Sequence, residues 1–418
     1  MIKKNLFILV LLYATIGLAQ QGSKSPYSFF GIGDLRFRGT NENRIMGGIA
    51  MMADSIHLNL QNPAAYSKLR LTTYALGVTY NSIQFETEDA NANTDNATLD
   101  YLSMAFPVSK KMGLGFGFMP FSSVGFELQN TDTIAGSVSQ FEGTGGINRL
   151  YLSAGYQLNK NWSVGVEGNY NFGDIENQNT IAFDNVQFGS RESNRSDLYG
   201  FSYTLGVHHQ IKTKKGLEIS SSLTYSPEIN LTSENRRTLS TVIFSATGVG
   251  FPVDSLKIDV PDTDLVIPQM ISIGSGIGKP RKWFAGVQYT NVESKNFTNR
   301  FINVGNVSFE NSSRIAAGGY FIPKYNSFTS YLSRVVYMAG IRYEETGIVI
   351  NDQSIDDFGI SFGLGLPVSG IQSFSNANIG FEFGQKGTTT NGLVKEKYFN
   401  IRIGLSFNDR WFVKRKYN

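Results

Sequence analysis

Residues 161–172 read NWSVGVEGNYNF, and a period of two runs through them. Trp162, Val164, Val166, Tyr170 and Phe172 are apolar or aromatic, interrupted only by Gly168, while Ser163, Gly165, Glu167, Asn169 and Asn171 are small, polar or charged. Successive side chains point to opposite faces of a strand, so the stretch predicts a β-strand whose two faces meet different surroundings. A soluble sandwich turns the apolar face to a protein core, whereas an outer-membrane barrel turns it to lipid.

The same alternation returns at 72–80, 98–108, 113–128, 148–158, 198–211, 217–228, 266–278, 282–292, 313–322, 334–346, 358–366, 377–386 and 397–407. With the opening stretch that makes about fourteen strands, an even number, as bacterial barrels have. The connections alternate in length. Short ones at 109–113, 158–161, 211–216 and 278–282 are interleaved with long polar stretches at 87–97, 129–147, 174–197, 229–265 and 293–312. A sandwich has no reason for that asymmetry, while short periplasmic turns and long extracellular loops are what a membrane barrel shows. The expected fold is therefore all-β, a transmembrane antiparallel β-barrel of about fourteen strands. Charges inside the strands agree: Asp100, Glu167, Arg342, Glu382 and Arg402 all lie opposite the apolar set of their strand, where lipid does not penalise them.

Composition and compartment point the same way. Only 17% of the 418 residues are charged, and 44 Gly, 20 Tyr and 31 Phe accompany a complete lack of Cys. Soluble chains carry nearer a quarter charged residues. A net charge of +3 gives no basis for nucleic-acid binding. Lys3 and Lys4 precede the apolar run LFILVLLYATI, and Gly17 and Ala19 stand before Gln20, so residues 1–19 read as a cleavable signal peptide. Downstream there is no apolar run long enough for a transmembrane helix. The expected division is signal peptide 1–19, an N-terminal hatch 20–70, the barrel 71–407 and a basic tail 408–418.

Fourteen strands enclose more space than their own side chains fill, so the barrel is either a water channel or plugged. Residues 20–70, rich in glycine and apolar side chains, are the natural plug, with a periplasmic extension as the alternative. Phe29, Phe30, Ile45, Met46, Met51 and Met52 call for burial. Lumen-facing Gly77, Gly165, Gly359, Gly363, Gly365 and Gly404 either admit a second backbone to the wall or serve barrel curvature. Pro120, in MPFSS (119–123), cannot donate a ladder hydrogen bond, so it either interrupts pairing of the third strand or sits at a bulge.

NRIMGGIAMMADSIHLNLQNPAAYS (43–67) resembles the N-terminal hatch of the FadL/TodX family of outer-membrane proteins for hydrophobic compounds, on Gly47 and Gly48 followed by Asn62, Pro63 and Ala64. SPYSFFGIGDL and the C-terminal EKYFNIRIGLSFNDRWFVKRKYN look like the Bacteroidota branch of that family, which also resembles barrels serving as accessory subunits of secretion and barrel-assembly complexes. The resemblance implies a Gram-negative outer membrane, with lipid and lipopolysaccharide around the barrel. It also implies a fatty-acid-like hydrophobic ligand inside, with Phe29, Phe30, Met46 and Met51 as apolar hatch contacts. The ligand's lateral exit would lie in the third strand, where Pro120 stands. SPYSFFGIGDL departs from the start of the fatty-acid transporters, and the chain runs on past Phe407.

No enzyme chemistry is expected. GISFG (359–363) surrounds Ser361 with the spacing of a nucleophile elbow, but it lies within a strand and no His follows residue 209. GSGIGKP (274–280) lacks the spacing and the hydroxyl residue of a phosphate loop. His208 and His209 point to opposite faces and share no metal, His57 reads as a satisfied polar residue, and Asp352, Asp356 and Asp357 read as a solvated loop rather than a calcium site. Catalytic residues, metal and cofactor are all expected to be absent. Uptake of an apolar compound, an accessory role in an outer-membrane complex and an open porin remain as functions, the last disfavoured by the plug.

Overall fold

The computed structural model describes residues 22–184, 186–245, 250–296, 306–368 and 375–409. The expected signal peptide and nearly all of the expected tail lie outside the described residues. The chain closes a 14-strand antiparallel barrel. Its first six strands are β1 (Thr72–Glu86), β2 (Asn91–Pro107), β3 (Met112–Asp132), β4 (Ser137–Gln157), β5 (Trp162–Phe183) and β6 (Phe188–Lys212). β7 runs in two pieces, Glu218–Ser226 and Ile229–Phe244, and β8 in three, Gly250–Ile258, Thr263–Ile267 and Met270–Lys279. β9 (Trp283–Val292), β10 (Val307–Phe309 and Ser312–Phe321), β11 (Val336–Ile350), β12 (Gln353–Pro367), β13 (Asn376–Lys386) and β14 (Lys395–Asp409) complete the wall. β14 pairs with β1 from Lys395↔Glu86 to Asp409↔Thr72, which closes the cylinder.

Burial follows the predicted alternation. On β5, Trp162, Val166 and Tyr170 are exposed on the outer face, while Ser163, Glu167, Asn169 and Asn171 are buried on the inner one. The outer belt continues through Leu150, Leu152 and Tyr156 on β4 and Phe201, Tyr203 and Leu205 on β6. Buried charge and exposed aromatic rings are the inverse of a soluble protein, as a wall facing lipid requires.

The polar stretches 129–147, 174–197 and 229–265, expected as loops, are largely strand. β5 and β6 stay paired from Trp162↔His209 out to Ile181↔Ser190, and β7 follows β6 as far as Ile243↔Phe188. Apolar alternation is absent there for a physical reason: past Tyr199 the outer face carries Asp174, Glu176, Arg195, Asp197, Glu234 and Arg236, which meet water instead of lipid. The β6 stretch from Phe188 to Leu198 alone extends roughly 35 Å beyond the belt at about 3.3 Å per residue. At the base of this extension Val124, Ile147, Ile175, Leu198 and Leu231 form an apolar core on the inner face, sealed by Ile32 of the N-terminal segment.

Residues 22–71 contain little regular structure: a two-residue strand (Asp34–Leu35), a helix (Asn41–Ile45) with a Thr40 capping box, and 3-10 turns at Pro26–Phe29 and Pro63–Lys68. The segment lies against the inner face of the wall. Ile45, Met46, Ile49 and Met51 pack with Phe284, Ala316 and Met338, and Leu58, Leu60, Tyr66 and Leu69 with Tyr101, Met119 and Tyr151.

Candidate functional site

Contact between the N-terminal segment and the wall depends on missing side chains. Gly47 and Gly48 have φ of +74° and +97°, a conformation that favours glycine. A Cβ on Gly340 would stand 2.0 Å from the Gly47 nitrogen, so the two backbones touch only because both residues lack one. Of the six glycines expected on the lumen face, Gly165 meets Pro63 and Ala64, Gly363 meets Ile45 and Gly404 meets Asn41, whereas Gly77, Gly359 and Gly365 face wall side chains. Approach of a second backbone is therefore seen at Gly165, among these six.

Asn62, Pro63 and Ala64 sit where the segment meets β6. Asn62 Oδ1 accepts from the Ala64 N–H (3.0 Å) and caps the following turn, while its Nδ2 donates to the Val207 carbonyl (3.0 Å). Met46 and Met51 are fully buried; Phe29 and Phe30 are half-buried, with Phe29 edge-on to Phe126.

A charged cluster joins segment to wall. Glu382 on β13, 2% exposed, is paired with Arg44 of the segment (2.9 Å), Arg342 of β11 (3.1 Å) and Arg402 of β14 (2.6 Å). Arg38 reaches Glu167 on β5 (2.5 Å) and donates to the Leu60 carbonyl (2.9 Å). The strand charges were visible in the sequence as lumen-facing. Their partners Arg38 and Arg44 were not, because an irregular segment has no period to show which way a side chain points. At the end of the barrel with the short turns, His57 sits 2.5 Å from Asp54, 3.7 Å from Glu42 and 3.1 Å from the Asn376 amide. Burial alone would discharge the imidazole, but Asp54 and then Glu42 hold it protonated, with its pKa pushed up to about 10.

Between β2 and β3 the direct ladder stops part-way along the wall. Their ladder runs from Pro107↔Gly113 only to Leu102↔Phe118, two residues short of Pro120. On its other side Pro120 stays in register with Asn148, and an irregularity follows between Pro120 and Ser122. The N-terminal segment stands in this seam. Leu35 and Asp34 pair with Ser122 and Ser123, the Arg36 N–H donates to the Phe121 carbonyl (2.9 Å), and the Arg36 guanidinium donates to Thr98 Oγ1 on β2 (2.8 Å). Behind the seam lies a cavity of about 270 Å³, bounded by residues 30–38 and by Met119, Pro120 and Phe121.

Among the described residues no group of His, Asp and Glu could hold a metal ion. Asp357, one of the three expected loop carboxylates, is instead paired with Arg342 (2.7 Å). His208 is buried and its Nε2 bonds the Met51 carbonyl (3.0 Å), while the His209 ring lies tilted against Trp162 of the neighbouring strand, 4.4 Å between centroids.

A family model described as BamG matches residues 1–418. No curated protein matches the sequence. Among solved structures, the CymD monoaromatic hydrocarbon channel superposes with a TM-score of 0.60 at 14% identity, over 90% of this chain and 99% of that one. A Pseudomonas aeruginosa FadL homologue gives 0.59 at 12% identity, over 91% and 99%. The P. putida toluene transporter TodX gives 0.58 at 14% identity, over 91% and 100%. At such identities the likeness is one of fold, that of a barrel of the FadL/TodX kind; the first of the three is named as a channel and the third as a transporter.

Proposed function

The chain belongs to the BamG family, and from that premise we propose that it is an accessory subunit of an outer-membrane complex of the barrel-assembly or secretion kind. In this reading residues 22–71 are a hatch that closes the lumen and the long-stranded end faces the cell exterior. The observation that carries it is the extension of β3 to β8 beyond the lipid belt. A barrel that only passes a small ligand into the membrane has no need of such a wall. Its inner face ends in Phe188, Ile243, Phe251, Leu239 and Leu256, which are exposed in the chain alone and lie on one face by their register. Apolar side chains collected outside the membrane are what a protein partner covers.

Lateral uptake of a hydrophobic compound is the second reading, and the seam at Pro120 favours it. Pro120→Val supplies the missing N–H and a β-branched side chain suited to a strand. Uptake of a long-chain apolar probe into proteoliposomes separates the two. An accessory subunit gives near-background uptake in both proteins. Substantial uptake by the native chain, reduced by Pro120→Val with heat-modifiable gel migration unchanged, establishes the lateral route instead.

A further inference from the structure

The lipid-facing side of β8 to β12 carries a trough in an otherwise bulky belt. In register across these strands stand Ile277, Ala285, Gly319, Ala339 and Phe362, large at the two sides and small in the middle. Ala285 and Ala339 point outward, since Phe284 and Met338 beside them are buried against the hatch. Ala317 continues the floor one row further. The trough then ends at Tyr289, Ile315 and Tyr343, and toward the short turns it ends at Trp283, Phe321 and Tyr337. It encloses about 870 Å³. The polar side chains lining it are Ser275 and Ser361, already bonded to Ser221 (2.9 Å) and to the Ile45 carbonyl (2.7 Å).

The short-turn end of this trough is basic. Lys279, Arg281 and Lys282 share one turn, closed by the Lys282 N–H donating to the Lys279 carbonyl (3.0 Å). The Ile322 N–H donates to the Lys282 carbonyl (2.7 Å), which brings the connection 323–334 alongside with Lys324 and Arg334. Arg281 lies 5.0 Å from the centroid of Tyr325 in that connection. The connection folds toward the outer face: the hydroxyl of outward Tyr337 donates to the Leu332 carbonyl (3.2 Å), and that of Tyr331 to the Pro367 carbonyl at the end of β12 (3.3 Å). Phe328 and Leu332 stand exposed beside it. Among the described residues none of these cations has a carboxylate within 4.0 Å, and Arg334 keeps a buried Nε with no hydrogen-bond partner.

We propose that trough and turn together bind an anionic glycerophospholipid of the leaflet at the short-turn end, its acyl chains in the trough and its phosphate at Lys279, Arg281 and Lys282. The extent of the trough chooses a lipid over a protein segment. Its two rows, at Ala285 and Val287, lie roughly 7–13 Å along the strand from Trp283 at about 3.3 Å per residue. That is one leaflet of a hydrocarbon core about 30 Å thick, and the tyrosine row stops it there. A spanning segment of another protein would need contact across the full thickness, whereas a lipid tail needs one leaflet. The charge chooses the headgroup, because cations without carboxylate partners at the membrane surface attract anionic lipid. Trp283, Phe321 and Tyr337 stand between chain and headgroup, the level that interfacial aromatic rings occupy. A complex subunit and a transporter both present this wall to lipid, so the inference does not depend on the proposed function.

The test uses Trp283 as the reporter. The full chain carrying Trp162→Phe and Trp411→Phe is placed in phosphatidylcholine nanodiscs, and its fluorescence is quenched by chain-brominated phosphatidylglycerol or phosphatidylcholine at the same low mole fraction. Quenching should report a local fraction of phosphatidylglycerol at least threefold above that of phosphatidylcholine. Arg281→Gln with Lys282→Gln should bring the ratio close to one, while Lys214→Gln with Lys215→Gln, at another turn, should leave it unchanged. Ala285→Leu with Ala339→Leu fills the trough from the lipid side, so heat-modifiable migration should stay normal while quenching by phosphatidylglycerol falls at least twofold. Equal quenching by the two lipids, or a ratio that survives loss of Arg281 and Lys282, overturns the headgroup assignment. Quenching indifferent to the two leucines overturns the trough as the seat of the chains. Inorganic phosphate that erases the ratio more than chloride of equal ionic strength reduces the turn to a free ion's site. High-yield cross-linking of a photoactivatable residue at Ala339 to one protein in native membranes gives the trough to a partner and overturns the lipid.

Discussion

Replacing Glu382 with Gln keeps the shape of the side chain and removes the one negative charge on which Arg44, Arg342 and Arg402 converge. Arg342 retains Asp357, but Arg44 and Arg402 have no other carboxylate within 4.0 Å among the described residues. Breaking a buried ion pair by removing one partner costs roughly 3–5 kcal/mol, because the remaining charge stays desolvated. At about 1.4 kcal/mol per decade, that raises the population with the hatch detached by roughly two to nearly four orders of magnitude. Arg44→Gln is a milder change, since Glu382 keeps two guanidinium partners. The assay is limited trypsin digestion in detergent, reading cleavage within residues 22–71 while heat-modifiable migration reports the barrel. Cleavage should rank Glu382→Gln, then Arg44→Gln, then the native chain. Equal resistance in all three, or Arg44→Gln more labile than Glu382→Gln, would refute the view that this carboxylate anchors the hatch.

Replacing Asn62 and Pro63 with Gly removes a cap and the bond to the Val207 carbonyl, a loss of about 1–2 kcal/mol; the barrel should stay folded while protease resistance of the hatch and bilayer conductance change. The pH dependence follows from His57, whose pKa is raised by its carboxylate neighbours to about 10. Its contribution is complete below the unfolded value near 6.5 and disappears as pH rises through 10, so protease resistance of the hatch should decline across that window, with the decline absent in His57→Gln. For topology, cysteines at Ser240 and Lys214 should be labelled in whole cells at the first position only, and labelling at Lys214 alone would invert the barrel.

The membrane-spanning part of every strand was legible because lipid and lumen impose a strict period of two. The same physics explains what was not legible. Beyond Tyr199 the outer face meets water instead of lipid and carries charged side chains, so residues 174–197 and 229–265 lose the apolar outer set and read as loops although they are paired. The lumen-facing charges were visible one by one, but the meeting of Arg44 with Glu382 joins positions 338 residues apart through an irregular segment. Pro120 was visible as a ladder breaker, whereas the occupation of its seam by Asp34 and Leu35 was not, since a two-residue strand has no pattern.

The most direct measurement for the accessory role is affinity purification of the full chain from native outer membranes under mild detergent, with the stoichiometry of the eluate determined by quantitative mass spectrometry. At least one other outer-membrane protein is expected at a constant near-unit ratio, lost when Phe188 and Phe251 are both replaced by Ser. Recovery of the barrel alone from native membranes, with apolar-probe uptake well above background in proteoliposomes, would contradict it.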